Sequence, residues 1–191
     1  MRTLDLGCGS NKTEGALGAD LTKGSDADVI VNFDQFYYPF KDSSFDHIIF
    51  NHVIEHLTNV PQVMEEIYRI CSPDGILEGE SPHFSSSASY TDPTHRHHFS
   101  YRTFDFLASP GTSRQGMLRR VLGKFYKLDE LKHRPKVVNQ FQKIDVRLRF
   151  NPLYRRLGIE WLANIYPELY ESFFAFIFPA RDIVFRLRAV K

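Results

Sequence analysis

Leu4-Asp5-Leu6-Gly7-Cys8-Gly9 ends a short apolar run near the start of the chain. The run Thr3–Leu6 predicts a β-strand. Gly7 and Gly9 predict a sharp turn after it, because residues without a β-carbon let the backbone turn and approach a bound molecule closely. In an open parallel sheet, ligands bind beyond the carboxyl ends of the strands. The stretch therefore predicts a strand whose exit loop contacts a ligand.

Four more short apolar runs follow, separated by turn-rich or helical stretches. Between the last two, Val60–Ile70 has apolar residues at helical spacing and Pro61 in its first turn, which predicts a helix. Strands that alternate with crossovers predict an α/β fold with a doubly wound, mostly parallel sheet. The further predicted strands are Leu17–Leu21, Asp28–Asn32, Phe45–Phe50 and Gly75–Glu80.

Beyond Ser81 the pattern changes to a polar, aromatic segment, Pro82–Tyr101, which we interpret as a functional loop. We expect one domain over residues 1–191: a cofactor-binding half (1–81), an α-rich lid that binds the acceptor (82–180) and an antiparallel final strand (181–191). The elements predicted in the second half are helices at Thr103–Leu107, Arg114–Leu131 and within Leu153–Phe176, and strands at Val138–Phe150 and Asp182–Val190.

Composition favours a cytoplasmic globular enzyme or binding protein. The 191 residues are 42% hydrophobic and 14% aromatic, enough for a substantial core. Cys8 and Cys71 have no metal-type spacing, so we expect both to be reduced. The N-terminus lacks a signal-peptide pattern, and the apolar stretch 173–180 is far shorter than the roughly 20 residues of a membrane span.

Charge is distributed unevenly along the chain. Residues 1–107 hold 7 Lys and Arg against 16 Asp and Glu, whereas 108–191 hold 17 against 7. The segment 108–136 is the most basic part. It could attract an anionic small molecule, nucleic acid or a membrane surface, or it could be a solvated helix face.

The glycine loop is better suited to an adenosine than to a dinucleotide. A dinucleotide site needs a third glycine and a packed helix, but Lys12 stands at the third position and Thr13–Gly18 is short and rich in glycine. Asp20 ends the second predicted strand, where a carboxylate can accept hydrogen bonds from both ribose hydroxyls. The alternative is that Asp20 only begins a turn.

With these motifs in order, residues 3–81 resemble the class I S-adenosylmethionine-dependent methyltransferases, in particular the type 11 family. The order and spacing of five motifs make this resemblance far more specific than a lone Gly-x-Gly. The matching stretches are 4–12, Gly18-Ala19-Asp20-Leu21, 34–40, 45–57 and Ser72-Pro73-Asp74-Gly75-Ile76-Leu77.

The resemblance implies S-adenosylmethionine as cofactor and assigns a role to each motif. The glycine loop would bring its backbone to the methionine part, Asp20 would hold the ribose, and Asp34 would accept from the adenine amino group. Family members usually carry a helix before the first strand, whereas two residues precede it here, so we expect the C-terminal half or a partner to close the site. The cofactor-binding residues implied are Asp5, Gly7, Cys8, Gly9, Asp20, Leu21, Phe33, Asp34, Gln35, Asn51 and His52.

Catalysis is assigned to the loop after the fifth strand. The sulfonium already activates the methyl group, so positioning supplies much of the rate, although oxygen and nitrogen acceptors can need a base. The stretch Tyr90–Ser100 resembles the Asp-Pro-Thr-His loop of some small-molecule and sugar-pathway methyltransferases. We assign His95 as base or acceptor-orienting residue and His83 as the second candidate.

The same loop leaves two other interpretations open. Its histidines and Asp92 offer metal ligands, but His95 and His97 would point together and His98 away, and no helical His-x-x-x-His exists, so we expect no metal. The loop could also serve only as a hydrogen-bonded anchor for the lid.

The function predicted from these patterns is O- or N-methylation of a small-molecule or glycan-type acceptor. A non-catalytic module that binds S-adenosylmethionine or its demethylated product is one alternative. A methyltransferase of nucleic acid or protein is another, which is weakened because Asn51-His52-Val53-Ile54 stands where many nucleic-acid enzymes have Asn-Pro-Pro-Tyr. We expect a small-molecule partner and no nucleic acid; the acceptor itself and the oligomeric state are not predicted.

Overall fold

Seven strands form one sheet in the computed structural model, which describes residues 1–109 and 140–191. The strands are β1 (Thr3–Leu6), β2 (Leu17–Asp20), β3 (Val29–Ile30), β4 (Phe45–Asn51), β5 (Cys71–Pro82), β6 (Phe141–Arg149) and β7 (Asp182–Ala189). In space they run β3, β2, β1, β4, β5, β7, β6. Neighbours from β3 to β5 are parallel, and β7 is antiparallel to both β5 and β6. The predicted mostly parallel sheet with an antiparallel C-terminal strand is confirmed.

Helices lie mainly in the second half of the chain. The predicted helix Arg114–Leu131 lies outside the described residues. The described α-helices are α1 (Val60–Ile70), α2 (Ala88–Thr91), α3 (Phe104–Leu107), α4 (Pro152–Arg156), α5 (Ile159–Ile165) and α6 (Pro167–Phe173), with 3-10 turns at Ile54–His56 and Tyr101–Thr103.

Helix α1 has the predicted bounds, and its sequence explains both its start and its packing. The Asn59 side chain accepts a hydrogen bond from the Gln62 N–H, and Pro61 occupies the first turn. Ile67 and Ile70 are fully buried. Burial of such a side chain contributes about 1.5–3 kcal/mol, so the apolar face fixes the helix on the sheet.

No helix lies between β1 and β4. The chain turns directly from β1 into β2, as expected from the short, glycine-rich stretch after Lys12. Lys12 Nζ is 3.0 Å from Asp28 Oδ1, and the Gly18 N–H donates to Asp28 Oδ2. The compact turn leaves the carboxyl ends of these strands accessible.

Strand β5 begins earlier than predicted because it contains an irregularity. The pairing with β4 shifts from Phe45↔Cys71 to His47↔Ile76. Asp74 has a φ of +57°, a left-handed conformation that aspartate tolerates better than most residues. Residues 71–74, which precede the predicted strand, therefore belong to the observed one.

The two faces of the sheet differ in chemistry. Ile48, Leu77 and Leu187 are fully buried on one face. Their sequence neighbours point to the other face, where His47 Nε2 is 3.0 Å from Glu78 Oε1 and Arg186 Nε is 3.6 Å from Glu78 Oε2. Such alternation is typical of a sheet with one polar face.

Among residues 1–109 and 140–191, we find no helix with both the length and the apolar character that crossing a bilayer requires.

Candidate active site

The residues predicted to bind the cofactor lie at the carboxyl ends of four strands that are neighbours in the sheet. These strands are β3, β2, β1 and β4. Direct contacts connect their exit loops: the Gly9 N–H donates to Asp20, and Asp34 accepts from Thr58. The predicted positions therefore form one continuous edge.

The glycine loop after β1 is held tightly at one end and open at the other. The Gly7 N–H donates to the Ala19 carbonyl at 2.7 Å. Gly7 has a φ of +75°, and a β-carbon there would lie 2.1 Å from Val53 Cγ2. Gly9 has a φ of +53°, and nothing lies within 4 Å of where its β-carbon would be. The space on this side of Gly9 is therefore open to a ligand.

Buried polar side chains beneath the surface of the loop hold its backbone in place. Asp5 is 5% exposed and accepts a hydrogen bond from the Thr13 N–H at 2.8 Å. Cys8 is also buried, and burial, together with the nearby Asp5 and Asp20 carboxylates, raises the pKa of its thiol. A protonated, enclosed thiol suits a structural role for the Cys8 side chain, while its backbone stays in the loop.

Asp20 is oriented by backbone donors. Its carboxylate accepts from the Gly9 N–H at 2.9 Å and from the Thr22 N–H at 2.8 Å. Burial opposes ionisation, but these hydrogen bonds outweigh it and lower the pKa of Asp20. The carboxylate is therefore ionised and held in one orientation at the end of β2. The next residue, Leu21, is 60% exposed and offers an apolar surface beside the carboxylate.

Two of the three residues predicted on the adenine side, Phe33 and Asp34, contact other parts of the protein. Asp34 accepts from the Thr58 N–H at 2.8 Å and from Thr58 Oγ1 at 2.9 Å. Phe33 is 6% exposed and packs edge-on against Tyr38. Gln35 is exposed. Asp34 thus connects the exit of β3 to the segment after β4.

The exit of β4 carries a charged cluster. Asn51 is exposed at the strand end, and His52 follows with a φ of +52°. His52 Nε2 is 3.1 Å from Glu80 Oε1, and His52 Nδ1 is 3.3 Å from Glu55 Oε1. The Glu55 carboxylate is the main cause of a raised pKa of His52. The protonated form of His52 is therefore favoured beside the place expected for the methionine tail.

His83 lies in the interior. It is fully buried, with Nδ1 2.7 Å from Ser85 Oγ and Nε2 3.1 Å from Glu171 Oε1. Glu171 Oε1 also accepts from the Tyr101 N–H at 2.5 Å. His83 therefore links the end of β5 to α6.

His95 lies at the exit of β4. The N–H groups of Arg96 and His97 both donate to the Glu55 carbonyl, at 2.8 and 3.2 Å, and so dock the loop beside the 3-10 turn. The His95 ring centre is 4.6 Å from that of His56. The two catalytic candidates are therefore in different surroundings.

Glu55 and His56 were not among the predicted site residues. The available signal was their position, since both follow β4 within five residues of its end and ligands bind at that edge. Other polar residues of the loop lie beside this group: Asp92 accepts from the Thr94 N–H, Asp92 Oδ2 is 4.0 Å from His95 Nε2, and His98 Nδ1 is 2.8 Å from Ser89 Oγ.

Comparison with protein families gives one match: residues 4–78 match the methyltransferase domain family. No curated protein matches the sequence. The family match covers the strands and loops that form the edge described above.

Solved structures of similar fold cover nearly the whole chain. A methyltransferase dependent on S-adenosylmethionine from Archaeoglobus fulgidus is 17% identical, with a TM-score of 0.58 over 98% of this chain and 85% of that one. The YcgJ protein from Bacillus subtilis is 16% identical, with a TM-score of 0.56 over 100% and 92%. The [4+2]-cyclase SpnF is 15% identical, with a TM-score of 0.56 over 99% and 74%. At these identities the likeness establishes the fold.

Proposed function

We propose that this chain is an S-adenosylmethionine-dependent methyltransferase and that it methylates an oxygen or nitrogen atom of a small-molecule or glycan-type acceptor at the exit of β4. The match of residues 4–78 to the methyltransferase domain family supports this proposal. S-adenosylmethionine supplies a methyl group that its sulfonium has already activated. The protein must bind the cofactor, orient the acceptor and exclude water.

The geometry of the strand edge supports binding of the adenosyl group. Asp20 presents a charged carboxylate that backbone N–H groups orient at the end of β2. The exposed Leu21 beside it suits an apolar ring face, and the open space beside Gly9 suits the methionine part. These features support binding of an adenosyl group at this edge.

The observation that carries the acceptor assignment is the docking of the loop onto the Glu55 carbonyl. It places His95 against His56 at the strand exit where the methyl group is expected. His95 would accept the acceptor's proton while the acceptor atom bonds to the methyl carbon. The electron pair of the broken carbon–sulfur bond returns to sulfur.

We assign His83 a positioning role. Its two ring nitrogens are occupied by Ser85 and Glu171, and it is fully buried. Through these contacts it orients the start of the loop that carries His95.

The acceptor class follows from the character of the described site. The strand exit offers the Asn51 amide, the imidazoles of His52 and His56, and the Glu55 carboxylate. Such groups suit a compact polar molecule. Affinity for an anionic acceptor would come from the basic segment 108–136, which lies outside the described residues except for 108 and 109.

Formation of S-adenosylhomocysteine tests the proposal. A panel of phenols, catechols, hydroxy acids, sugars and amines is supplied with S-adenosylmethionine, and we expect acceptor-dependent product with at least one class. His95→Ala should then lower kcat about 100-fold, the usual contribution of a general base. His47→Ala, on the polar face of the sheet, is the matched control and should keep full activity.

Two results would contradict the proposal. Cofactor binding without any S-adenosylhomocysteine would favour a non-catalytic binding module or a reaction without methyl transfer, such as the cyclisation named for SpnF. Full activity of the His95→Ala protein would exclude His95 as the base.

A further inference from the structure

Three metal-ligating side chains meet where the loop docks on the exit of β4. Glu55, His56 and His95 each contribute a ligand atom, and these atoms lie within 4.8 Å of one another. Glu55 and His56 come from the 3-10 turn, and His95 comes from a loop almost forty residues later. The docking of that loop therefore assembles the cluster.

Glu55 is the unusual member of the cluster. Its side chain is 1% exposed, and within residues 1–109 and 140–191 neither carboxylate oxygen accepts a hydrogen bond of regular geometry. His52 Nδ1 lies 3.3 Å from Oε1, but His52 also contacts Glu80 through Nε2. A buried carboxylate whose charged neighbour is shared in this way favours a further positively charged ligand.

The hydrogen bonds of the loop prepare His95 for the same ligand. His95 Nδ1 is 3.2 Å from the Ser89 carbonyl oxygen. A carbonyl can only accept, so Nδ1 carries the proton. The neutral imidazole therefore has its lone pair on Nε2.

His56 is prepared in the same way through one further residue. Its Nδ1 is 2.9 Å from Thr94 Oγ1, and the Thr94 hydroxyl donates its hydrogen to Asp92 Oδ1 at 2.7 Å. Oγ1 must then accept from the Nδ1–H of His56. Nε2 again holds the lone pair, and an N–H bonded to an outer oxygen is the usual arrangement behind a metal-binding histidine.

We propose that Glu55, His56 and His95 bind one divalent transition-metal ion of the Zn²⁺, Co²⁺ or Mn²⁺ class. Two imidazoles and one carboxylate form a ligand set typical of metal sites that keep positions open for substrate. Ligand bonds of about 2.1 Å require the three atoms to draw together by about 1 Å. The sequence predicts no metal here, because the histidines of the loop alone have poor spacing for one. The fold adds Glu55 and His56, which lie almost forty residues earlier, to His95.

The role of the ion rests on the proposed methyl transfer. A metal with open positions would bind the acceptor oxygen and lower its pKa, so that the hydroxyl proton leaves to bulk water before the oxygen attacks the methyl carbon. With the ion bound, His95 would be a ligand through Nε2, and the base role proposed above for His95 would apply only to the protein without metal. An acceptor with two adjacent oxygen atoms, such as a catechol or a vicinal diol, fits this site best.

Metal binding is tested directly, without cofactor or acceptor. Untagged protein is stripped with a chelator and titrated with Zn²⁺, and then with Co²⁺, whose visible absorption reports on its ligands. We expect one ion per chain, and affinity at least tenfold weaker in Glu55→Gln and in His56→Ala. His47→Ala and Glu78→Gln are matched controls and should bind like the wild type.

Folding of each variant is checked by circular dichroism and by thermal denaturation. We expect metal-free Glu55→Gln to be at least as stable as the wild type, because it removes a buried charge without hydrogen bonds. It should lose the rise in Tm that the metal causes in the wild type.

The outcomes separate this inference from the proposed function. Absence of binding, or equal affinity in wild type and Glu55→Gln, overturns the metal site even if methyl transfer is found. Binding that depends on Glu55 in a protein without methyl transfer supports the site and contradicts the proposed reaction. Methyl transfer at full rate in excess chelator would overturn the catalytic role of the ion.

Discussion

Gly7 and Gly9 occupy the same loop but have different reasons to be glycine. Both have a positive φ, which costs about 1–2 kcal/mol in a residue with a side chain. Only at Gly7 does the β-carbon also meet another atom, Val53 Cγ2 at 2.1 Å. We therefore predict that Gly7→Ala lowers the free energy of unfolding clearly more than Gly9→Ala does, as measured by urea denaturation.

A double variant separates the two effects at Gly7. Val53→Ala removes the clashing methyl group, so Gly7→Ala should cost less in that background than in the wild type. An equal cost in both backgrounds would mean that backbone strain alone explains the glycine.

The role of a single residue can be predicted from sequence where one local motif determines it. Gly7 and Asp20 lie where the motifs indicate. The meeting of Glu55 and His56 with His95 could not be predicted, because it depends on hydrogen bonds from the loop to the Glu55 carbonyl. No spacing in the sequence encodes such a contact.

An ion pair within helix α1 holds the segment before β4. Arg69 Nη2 is 2.8 Å from Glu66 Oε2, and Arg69 also donates to the carbonyls of Phe40 and Tyr38. Burial opposes ionisation of Glu66, but Arg69 and the Tyr38 N–H outweigh it and lower its pKa. The pair therefore orients the groups through which the helix contacts that segment.

We predict that Glu66→Gln destabilises the protein by about 2 kcal/mol, less than a fully buried pair because the Arg69 side chain is 23% exposed. A lowered pKa means that the contribution is complete above the ordinary glutamate pKa of about 4.3 and is lost as the pH falls through the folded-state value. Urea denaturation at pH 7 and pH 3 should show the difference shrinking in acid.

Glu65→Gln is the control for that comparison, since Glu65 is an exposed neighbour on the same helix. A similar loss in both variants would show that helix charge, and not the pair with Arg69, explains the effect.

Elements with strong local patterns are the ones whose bounds could be predicted. Strand β1 and helix α1 match their predictions, because apolar periodicity and the Pro61 signal act locally. Strand β5 begins earlier, at Cys71, because its shift in register is set by pairing with β4. Strand β3 is reduced to Val29–Ile30, its pairing with β2 covering only two residues.

The second half of the chain is basic, which raises the question whether the acceptor is a nucleic acid or a small molecule. A polymer bound through 6–10 phosphates would lose about 10³–10⁵ in affinity between 50 and 200 mM salt. We predict no such binding, because the described site offers compact polar groups at one strand exit. Fluorescence titration with RNA and DNA oligonucleotides at both salt concentrations checks this.

Tight binding with a steep salt dependence in that titration would favour a nucleic-acid methyltransferase. The basic segment 108–136 would then be the place to substitute.

Cofactor binding depends on one feature of the whole fold, the edge of the sheet formed by the carboxyl ends of β3, β2, β1 and β4. Calorimetric titration with S-adenosylmethionine measures it most directly. We predict one site per chain, and at least tenfold weaker affinity in Asp20→Asn, since a hydrogen bond to a charged group contributes about 1.5–3 kcal/mol. The exposed Asp26→Asn is the control and should bind normally. No binding by the wild type, or undiminished affinity in Asp20→Asn, would contradict the account.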